Sequence, residues 1–211
     1  EEVAKFRAMR RIWARIIREK FKAENPKSMW FRVAVQTGAL HLAAQEPMNN
    51  IVRATIQTLI AVLAGTQSIH TTAYDEAYCL PTEESQKLAI RTQQIIAYES
   101  GVTKSVDPLG GSYLVETLTD EIEERIWEMM KVMERRGGFI QCFKEGWIEE
   151  QINKARYTMA EAIRTGMQPL IGVNVFRDDQ HEAKVEIFRH ASDMQSKRIQ
   201  YVQDYKKNRD I

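Results

Sequence analysis

The spacing of apolar residues predicts a helix and then a strand at the start of the chain. Residues 3–22 carry apolar side chains at helical intervals, so they are predicted to form one amphipathic helix. Pro26 ends the helix, because proline disfavours helical geometry in the residue before it. Residues 30–35 are rich in aromatic and β-branched side chains, which is typical of a buried strand. The apolar stripe of the helix consists of Val3, Phe6, Ile12, Trp13, Ile16, Ile17 and Phe21.

A second helix and a second strand follow at once. Asn49 or Asn50 is predicted to cap the helix by accepting backbone N–H bonds, and Gly65 to end it in a left-handed turn. Little polar surface lies between these residues, so the helix is predicted to be mostly buried. Residues 66–71 are the next strand candidate. The unit from Gln36 to Gln67 has about the length that a parallel crossover requires, which predicts an α/β fold.

The rest of the pattern is mainly helical. Helices are predicted from Pro81 to about Ser100, at 117–135 and at 147–165, and a short strand is predicted at 170–175. Residues 178–211 are highly charged and mix helix with linker.

The composition of the chain mainly excludes classes of binding partner. With Lys+Arg 30 against Asp+Glu 29, neither sign of charge is in excess, so neither nucleic acid nor a membrane surface is expected as a partner. The arginines of the first helix are interpreted as a solvated face, with nucleic-acid binding as the minor alternative. The longest apolar run, Leu59 to Ala64, is far below the ~18 residues that a membrane helix needs.

Two further features concern the compartment and the chain start. Cys79 and Cys142 stand far apart and form no C-x-x-C pair, so a reducing cytoplasm fits better than a disulfide framework or a zinc site. No apolar stretch of a secretory signal follows Glu1. The chain begins abruptly inside a predicted helix, which we interpret as truncation.

Polar side chains at the ends of the two strands are the candidate chemistry. Gln36-Thr37-Gly38 follows the first strand, and residues 66–71 are polar where a barrel strand normally carries Val, Ile and Leu. In β/α barrels the reactive side chains lie at the carboxyl ends of the strands. The two strand ends therefore predict one shared pocket. The alternative is that these side chains only bond to loop backbone groups.

Other candidate groups have a functional and a structural interpretation. His70 is either a catalytic histidine or a hydrogen-bonded structural one. No Asp or Cys forms a known catalytic motif with it, so the structural interpretation is favoured. Asp75-Glu76 is either an acidic first turn of a helix or a carboxylate that faces a ligand hydroxyl. Gly110-Gly111 lacks the pattern of a phosphate-binding loop. No metal site is predicted, because His41, His181 and His190 lack ligand spacing to Cys or acidic residues.

A series of motifs, in order, resembles one enzyme family. The similarity runs from Glu1 to about Val175 and weakens into the tail. The family is that of the large subunit of methylmalonyl-CoA mutase and its relatives, the isobutyryl-, 2-hydroxyisobutyryl- and ethylmalonyl-CoA mutases. The matching motifs are Gln45-Glu46-Pro47-Met48-Asn49-Asn50-Ile51-Val52-Arg53, Gly65-Thr66-Gln67-Ser68-Ile69-His70-Thr71, Asp75-Glu76-Ala77, Leu80-Pro81-Thr82, Arg91-Thr92-Gln93, Glu99-Ser100-Gly101-Val102 and Asp107-Pro108-Leu109-Gly110-Gly111-Ser112-Tyr113.

The resemblance implies a particular fold and reaction. The family fold is a TIM-type (β/α)8 barrel through which the CoA chain threads, with adenosylcobalamin (coenzyme B12) held between the barrel mouth and a separate cobalamin-binding domain. Residues 1–80 would be the last βα units with the last two strands, 81–177 a helical segment, and 178–211 a charged linker or helix. The implied reaction is a radical carbon-skeleton rearrangement, from methylmalonyl-CoA to succinyl-CoA or of a related branched acyl-CoA.

The same resemblance implies partners. The chain would need the remainder of the barrel subunit, a cobalamin-binding domain or subunit and an acyl-CoA substrate, within an oligomer. It is therefore expected to be an incomplete isomerase that is inactive alone.

The resemblance also carries over site residues. Gln36 and Glu76 would hold the adenosyl group, with Glu76 accepting from ribose hydroxyls. Gln67 and Ser68 would line the channel for the CoA ester. The positions that would lie against the cofactor are Ala39, Leu40, Thr72, Ala77 and Leu80.

Two departures from the family pattern concern the substrate. Thr72 stands where relatives have an asparagine, and Gly38-Ala39-Leu40 stands where methylmalonyl mutases have Ser-Gly-Trp. These changes favour a relative that acts on another branched acyl-CoA.

Some family features are not matched in this chain. The substrate-facing tyrosine, histidine and arginine would lie upstream of Glu1, so no catalytic residue is assigned here. The D-x-H-x-x-G motif for the cobalt ligand is not matched either, since Asp179-Gln180-His181 is followed by Lys184 at the glycine position.

Two other hypotheses remain open. The chain could be a non-catalytic scaffold or assembly module derived from such a subunit. It could also be a small β/α domain that binds a different, nucleotide-like ligand. A coding sequence that continues upstream with further barrel residues would favour the enzyme.

Overall fold

The computed structural model describes residues 1–178, 186–189 and 191–209, and within them two parallel strands form the sheet. Strand β1 (Ala34–Gln36) pairs with β2 (Ser68–His70), with Val35 opposite Ile69 and Gln36 opposite His70. Helix α2 (Asn49–Leu63) makes the connection between them. The predicted strand–helix–strand unit is confirmed, and the described fold is mixed α/β.

Both strands are shorter than predicted. Residues before β1 form a 3₁₀ turn, Pro26–Met29, because the Asn25 side chain accepts a hydrogen bond from the Lys27 backbone N–H at 3.0 Å. Trp13 Nε1 donates to the Ser28 carbonyl at 3.0 Å and holds this turn against the first helix. Trp30 is consequently 56% exposed, so the prediction of a buried strand from residue 30 is wrong.

The helices agree with most of the predicted spans. Helix α1 (Glu2–Arg15) continues as one wider π-helical turn, Ile16–Lys20, before the chain leaves the helix. The helices after β2 are α3 (Glu83–Tyr98), α4 (Tyr113–Arg135), α5 (Phe139–Lys144), α6 (Trp147–Arg164) and α7 (Met194–Asn208). None of the helices in the described ranges combines the length and the apolar character that crossing a bilayer would require.

The start of α2 differs from the predicted cap. Met48 occupies the capping position and offers no side-chain hydrogen bond, while the Asn50 side chain turns away from its own helix towards the loops. The predicted end is confirmed, since Gly65 has a φ of +68°. Helix α3 has a side-chain cap, because Thr82 Oγ1 accepts from the Ser85 N–H at 3.2 Å.

Residues 170–175 form a turn, so the strand predicted there is wrong. One bridge joins Ile171 to Val175, and Gly172 reverses the chain with a φ of +76°. Asn174 closes the turn by accepting from the Leu170 N–H at 2.7 Å and donating to two carbonyls of the preceding segment. A polar side chain that satisfies backbone groups in this way competes with strand geometry.

The basic face of α1 packs against α4. Arg11 Nε lies 2.7 Å from Glu123 Oε2, and Arg15 Nη1 donates to Glu123 Oε1 at 2.9 Å. Arg7 bonds to Asp107 at 2.7 Å, a hydrogen bond that raises the pKa of the Arg7 guanidinium. The interpretation of the arginines as a solvated face holds only in part, because Arg7, Arg11 and Arg15 pair with acidic residues, whereas Arg11 and Arg15 remain about half exposed and Arg18 is exposed.

The deepest positions of the chain hold small and polar side chains. The buried apolar residues are mostly alanines, such as Ala8 and Ala54. The largest fully buried side chains are Asn50, Thr58, Thr71, Thr72, Thr119, Asp75, Cys142 and Ser85. Many of them belong to α2 or follow β2, so the buried polar groups cluster around the strand ends.

We expect Glu123→Gln to destabilise the fold more than Glu124→Gln. Glu123 is 5% exposed between two arginines, and glutamine removes the charge from that cluster, whereas the neighbouring Glu124 is exposed. The expected loss is about 1–3 kcal/mol of unfolding free energy, from weakened charge-assisted hydrogen bonds. Urea denaturation of both variants measures it. Equal stability of the two variants would contradict the assigned role of the cluster.

Candidate functional site

One face of the two-stranded sheet is exposed and carries the predicted polar residues. In both strands the middle residue is more buried than its neighbours, so Val35 and Ile69 face the helices. Gln36 and His70 are paired in register at the carboxyl ends and project on the opposite, exposed face. The structure therefore brings the two predicted strand ends together.

A set of hydroxyl bonds fixes the backbone just beyond the strands. The Thr37 N–H donates to the His70 carbonyl at 3.0 Å, and Thr37 Oγ1 accepts from the Thr72 N–H at 2.8 Å. Thr72 Oγ1 donates to the Thr37 carbonyl at 2.9 Å. The Thr72 side chain is thus buried, and its hydroxyl is bonded to Thr37. Its predicted contact with the cofactor stays a prediction, and the bonds seen here hold the two strand ends together.

The segment after β2, residues 71–82, is held from inside by Asp75. This carboxylate is fully buried, and its Oδ2 accepts from the Thr82 N–H at 3.0 Å, which draws the two ends of the segment together. Its other oxygen has no hydrogen-bond partner within the described ranges. Burial raises the pKa of the adjacent Tyr74 phenol, and the charge of Asp75 raises that pKa further.

The Glu76 side chain extends from this segment towards His70 on the exposed face of the sheet. Its Oε1 lies 3.9 Å from His70 Nε2, and its side chain is 21% exposed, whereas that of His70 is 52% exposed. Because His70 pairs with Gln36, one amide, one imidazole and one carboxylate line a single wall. This arrangement can bond to hydroxyl and amide groups of a ligand.

Apolar side chains project from both segments around that wall. Leu40 lies in a 3₁₀ turn, Ala39–His41, and is 79% exposed, and Leu80 on the segment after β2 is 59% exposed. Ala39 and Ala77 are exposed as well. Exposed apolar side chains on the segments that follow the strands are typical of a surface that binds a ligand or another protein surface.

The two predicted substrate residues lie further along the sheet. Ser68 is on the exposed face opposite Ala34, two residues before His70. Gln67 lies at the amino end of β2, where its Oε1 accepts from the Val33 N–H at 2.7 Å and its Nε2 donates to the Gly65 carbonyl at 3.2 Å. The side chain of Gln67 is thus held by backbone groups, away from Gln36 and Glu76.

A hollow of about 650 Å³ opens beside β1. Gln57 lies on its wall, and Gln57 Oε1 is a buried atom with no hydrogen-bond partner in the described part of the chain. The lining residues come from α1, α2, β1 and the segment after β1: Glu2, Lys5, Phe6, Val35, Gln36, Thr37, Gly38, His41, Gln57, Ile60 and Ala61.

Residues that the sequence did not single out connect the site to the rest of the chain. Asn50 and Arg53 bond to the segments after both strands and to the turn at Ile171. Both residues are in a family motif, but the partners of a buried amide depend on tertiary structure, so only the capping role of Asn50 was predicted. Gln57 has no comparable signal in the sequence.

Of the three histidines in the metal prediction, only His41 lies within the described residues. Within the described ranges, no group of three His, Cys, Asp or Glu side chains is placed to hold a metal ion. The Asp179-Gln180-His181 stretch, Lys184 and His190 lie outside the described residues.

Comparison with known proteins identifies one family. The sequence profile described as methylmalonyl-CoA mutase matches residues 1–211. The chain is 46% identical over 210 residues to the 2-hydroxyisobutanoyl-CoA mutase large subunit of Aquincola tertiaricarbonis, which covers 100% of this chain and 37% of that protein.

Two further relatives are named as methylmalonyl-CoA mutases. The chain is 42% identical to a probable mitochondrial methylmalonyl-CoA mutase of Caenorhabditis elegans, over 89% of the chain and 25% of that protein. It is 43% identical to methylmalonyl-CoA mutase of Rhizobium meliloti, over 83% of the chain and 25% of that protein. The chain therefore spans about a quarter to two-fifths of these relatives.

We expect Thr72→Val to destabilise the protein more than Thr72→Ser. Valine removes the hydroxyl and leaves the buried Thr37 groups without their partner, at about 1–3 kcal/mol. Serine keeps the hydroxyl and loses one methyl group, worth about 0.8 kcal/mol. Urea denaturation of both variants ranks them. A valine variant as stable as the serine variant would show that the hydroxyl bonds contribute nothing.

Proposed function

The chain belongs to the methylmalonyl-CoA mutase family, and we propose that it forms part of an adenosylcobalamin-dependent isomerase that rearranges the carbon skeleton of a branched acyl-CoA. The observation that carries the proposal is the convergence of Gln36, His70 and Glu76 on one exposed wall at the carboxyl ends of two parallel strands. In β/α enzymes this is where ligands bind.

We propose that β1 and β2 are the last two strands of a TIM-type (β/α)8 barrel. Parallel sheets are normally covered on both faces, yet in the described part of the chain helices cover only the face of Val35 and Ile69. The hollow beside β1 is lined by β1 and the segment after it and by two helices, which is where a further parallel strand would pair. Residues 1–80 would then be the last βα units, 81–177 the helical segment after the barrel, and 178–211 a linker.

The residues of the wall fit adenosylcobalamin. When bound, this group supplies the radical chemistry of the rearrangement. The Glu76 carboxylate would accept hydrogen bonds from ribose hydroxyls, and the Gln36 amide would bond to the adenosyl group. The exposed side chains of Ala39, Leu40, Ala77 and Leu80 would cover the corrin and exclude water from it. Thr72 would act through Thr37, by holding the two strand ends in place.

The substrate would run along the exposed sheet face. Ser68 lies at the amino end of β2 on the same exposed face as His70, so a CoA ester threaded along the face would pass it. Gln67 would border the channel at the amino end. Gly38-Ala39-Leu40 replaces a bulky aromatic residue of methylmalonyl mutases, so we favour a branched acyl group such as isobutyryl, 2-hydroxyisobutyryl or ethylmalonyl over methylmalonyl itself.

The proposed assembly needs more than this chain. The remainder of the barrel subunit would close the sheet, and a cobalamin-binding domain or subunit would cover the mouth, within an oligomer. This chain alone would be inactive. Cys79 and Cys142 are free thiols, which agrees with a reducing, cytoplasmic location.

A scaffold role is the second candidate, and one observation favours it. Helix α5 presents Phe139, Ile140 and Phe143, each at least 60% exposed, with the two phenyl rings stacked at 6.5 Å. Such side chains can bind another protein surface whether or not the subunit is catalytic.

An activity assay of the whole protein separates the two candidates. The full-length protein, its cobalamin partner and adenosylcobalamin are incubated with a panel of branched acyl-CoA thioesters, and rearranged products are measured by mass spectrometry. Turnover of one thioester that requires adenosylcobalamin is expected. Assembly with the partner but no turnover of any thioester would favour the scaffold.

We expect Glu76→Ala in the whole protein to weaken adenosylcobalamin binding by about tenfold to a hundredfold, since hydrogen bonds to a charged group contribute about 1.5–3 kcal/mol. Glu83→Ala, at an exposed position in the first turn of α3, is the control and should leave the affinity unchanged. Equilibrium titration gives both values. Equal affinity in the two variants would remove Glu76 from the site.

A further inference from the structure

One buried amide bonds to both segments that carry the predicted cofactor residues. Asn50, in the first turn of α2, is fully buried. Its Oδ1 accepts from the Ala43 N–H at 3.0 Å, and its Nδ2 donates to the Ala43 carbonyl at 2.8 Å and to the Tyr74 carbonyl at 3.0 Å. Ala43 belongs to the segment after β1, residues 37–48, which we name the first loop. Tyr74 belongs to residues 71–82, the second loop.

Arg53 extends this contact one helical turn further. Its Nη1 donates to Asn50 Oδ1 at 2.8 Å, and its Nη2 donates to the Ile171 carbonyl at 2.6 Å. The Asn50 amide thus uses both donor hydrogens and accepts two hydrogen bonds. The positive charge of Arg53 fixes which side of the amide is the oxygen, because a flipped amide would direct an N–H at the guanidinium.

The bonding pattern is more specific than stability requires. A buried amide is costly unless all its hydrogen bonds are made, and an apolar side chain would fill the same space without that requirement. A fully bonded amide instead fixes one distance and one orientation between the groups that it joins. Here those groups are the backbones of the two loops, which are far apart in sequence.

A second contact ties the same loops. The Tyr78 hydroxyl, on the second loop, donates to the Ala44 carbonyl on the first. Glu46, also on the first loop, has its carboxylate against Gly172, where an added Cβ would lie 2.9 Å from the carboxyl carbon. The turn at residues 170–175 therefore rests on the first loop and on Arg53 together.

We propose that Asn50, oriented by Arg53, is a positioning residue that sets the spacing between the two loops so that Leu40 on the first loop and Glu76 on the second reach one cofactor molecule. The role rests on the proposed function. Because Asn50 is fully buried, it would act through the backbones of Ala43 and Tyr74 and not by contact with the cofactor. Within the described residues, the turn at residues 170–175 is hydrogen-bonded to Arg53 only through the Ile171 carbonyl.

Asn50→Asp is the informative substitution. It keeps the size of the side chain and the oxygen that accepts from Ala43 and Arg53, but it replaces the donor nitrogen by an oxygen that faces two carbonyls. Asn174→Asp is the matched control. Asn174 accepts one backbone N–H and donates to two carbonyls in the same way, but its partners are Leu170, Ile163 and Gln168.

The experiment uses the full-length protein with its cobalamin partner and has two measurements. Hydrogen–deuterium exchange of the cofactor-free protein reports the two loops, and titration with adenosylcobalamin reports affinity. For Asn50→Asp we expect exchange at least tenfold faster in both loops and affinity at least tenfold weaker. The KM for the acyl-CoA should change less than the cofactor affinity. For Asn174→Asp we expect faster exchange in residues 163–175 only, with unchanged affinity.

Arg53→Met is the second variant, in case Asn50→Asp does not fold. It leaves the amide in place and removes its orienting partner, so a smaller change in the same direction is expected, with faster exchange at residues 170–175. Unchanged exchange in the two loops, or a loss of affinity equal to that of Asn174→Asp, overturns the positioning role. If the unsubstituted protein does not bind adenosylcobalamin, the proposed function fails, while the exchange measurement still decides whether Asn50 spaces the loops.

Discussion

Two parallel strands have no hairpin to join them, so their register depends on what lies at their ends and on what covers their faces. In this chain α2 makes the crossover, and side chains on one face pack towards the helices. The other face ends in Gln36 and His70 and is open. Because both faces of a parallel sheet are normally covered, the open face leaves the polar wall accessible to whatever covers it.

The strand ends are held by polar groups. Hydroxyls of Thr37 and Thr72 bond across the strands, Asp75 draws together the ends of the second loop, and Asn50 bonds to both loops. In a buried setting each such bond excludes alternative geometries, since an unmade bond is costly. The proposed cofactor site would benefit from a frame of this kind, because it would have to hold one large group in one orientation.

The spacing of apolar residues and the positions of glycine and proline were sufficient to predict much of this fold. The apolar spacing of α2 and the left-handed turn at Gly65 gave the crossover, and the resemblance to a known family gave Gln36 and Glu76 as cofactor residues, which stays a prediction. Local sequence does not contain tertiary partners, however. The Asn50 bonds, the ion pairs of Glu123 and the turn closed by Asn174 depend on residues that are distant in sequence or on side chains that compete with the backbone. Helix α5 was missed because glycines leave it only six residues, Phe139–Lys144, too few to show a period.

The composition of the deepest positions has a thermodynamic consequence. The largest fully buried side chains of the chain include Asn50, Thr58, Thr71 and Asp75, and the buried apolar residues are mostly alanines. Hydrating hydrocarbon raises the heat capacity of an unfolded chain, while hydrating polar groups lowers it. These deepest positions therefore contribute little to the heat-capacity increment of unfolding, which depends instead on half-buried apolar side chains such as Leu59, Ile60 and Leu63.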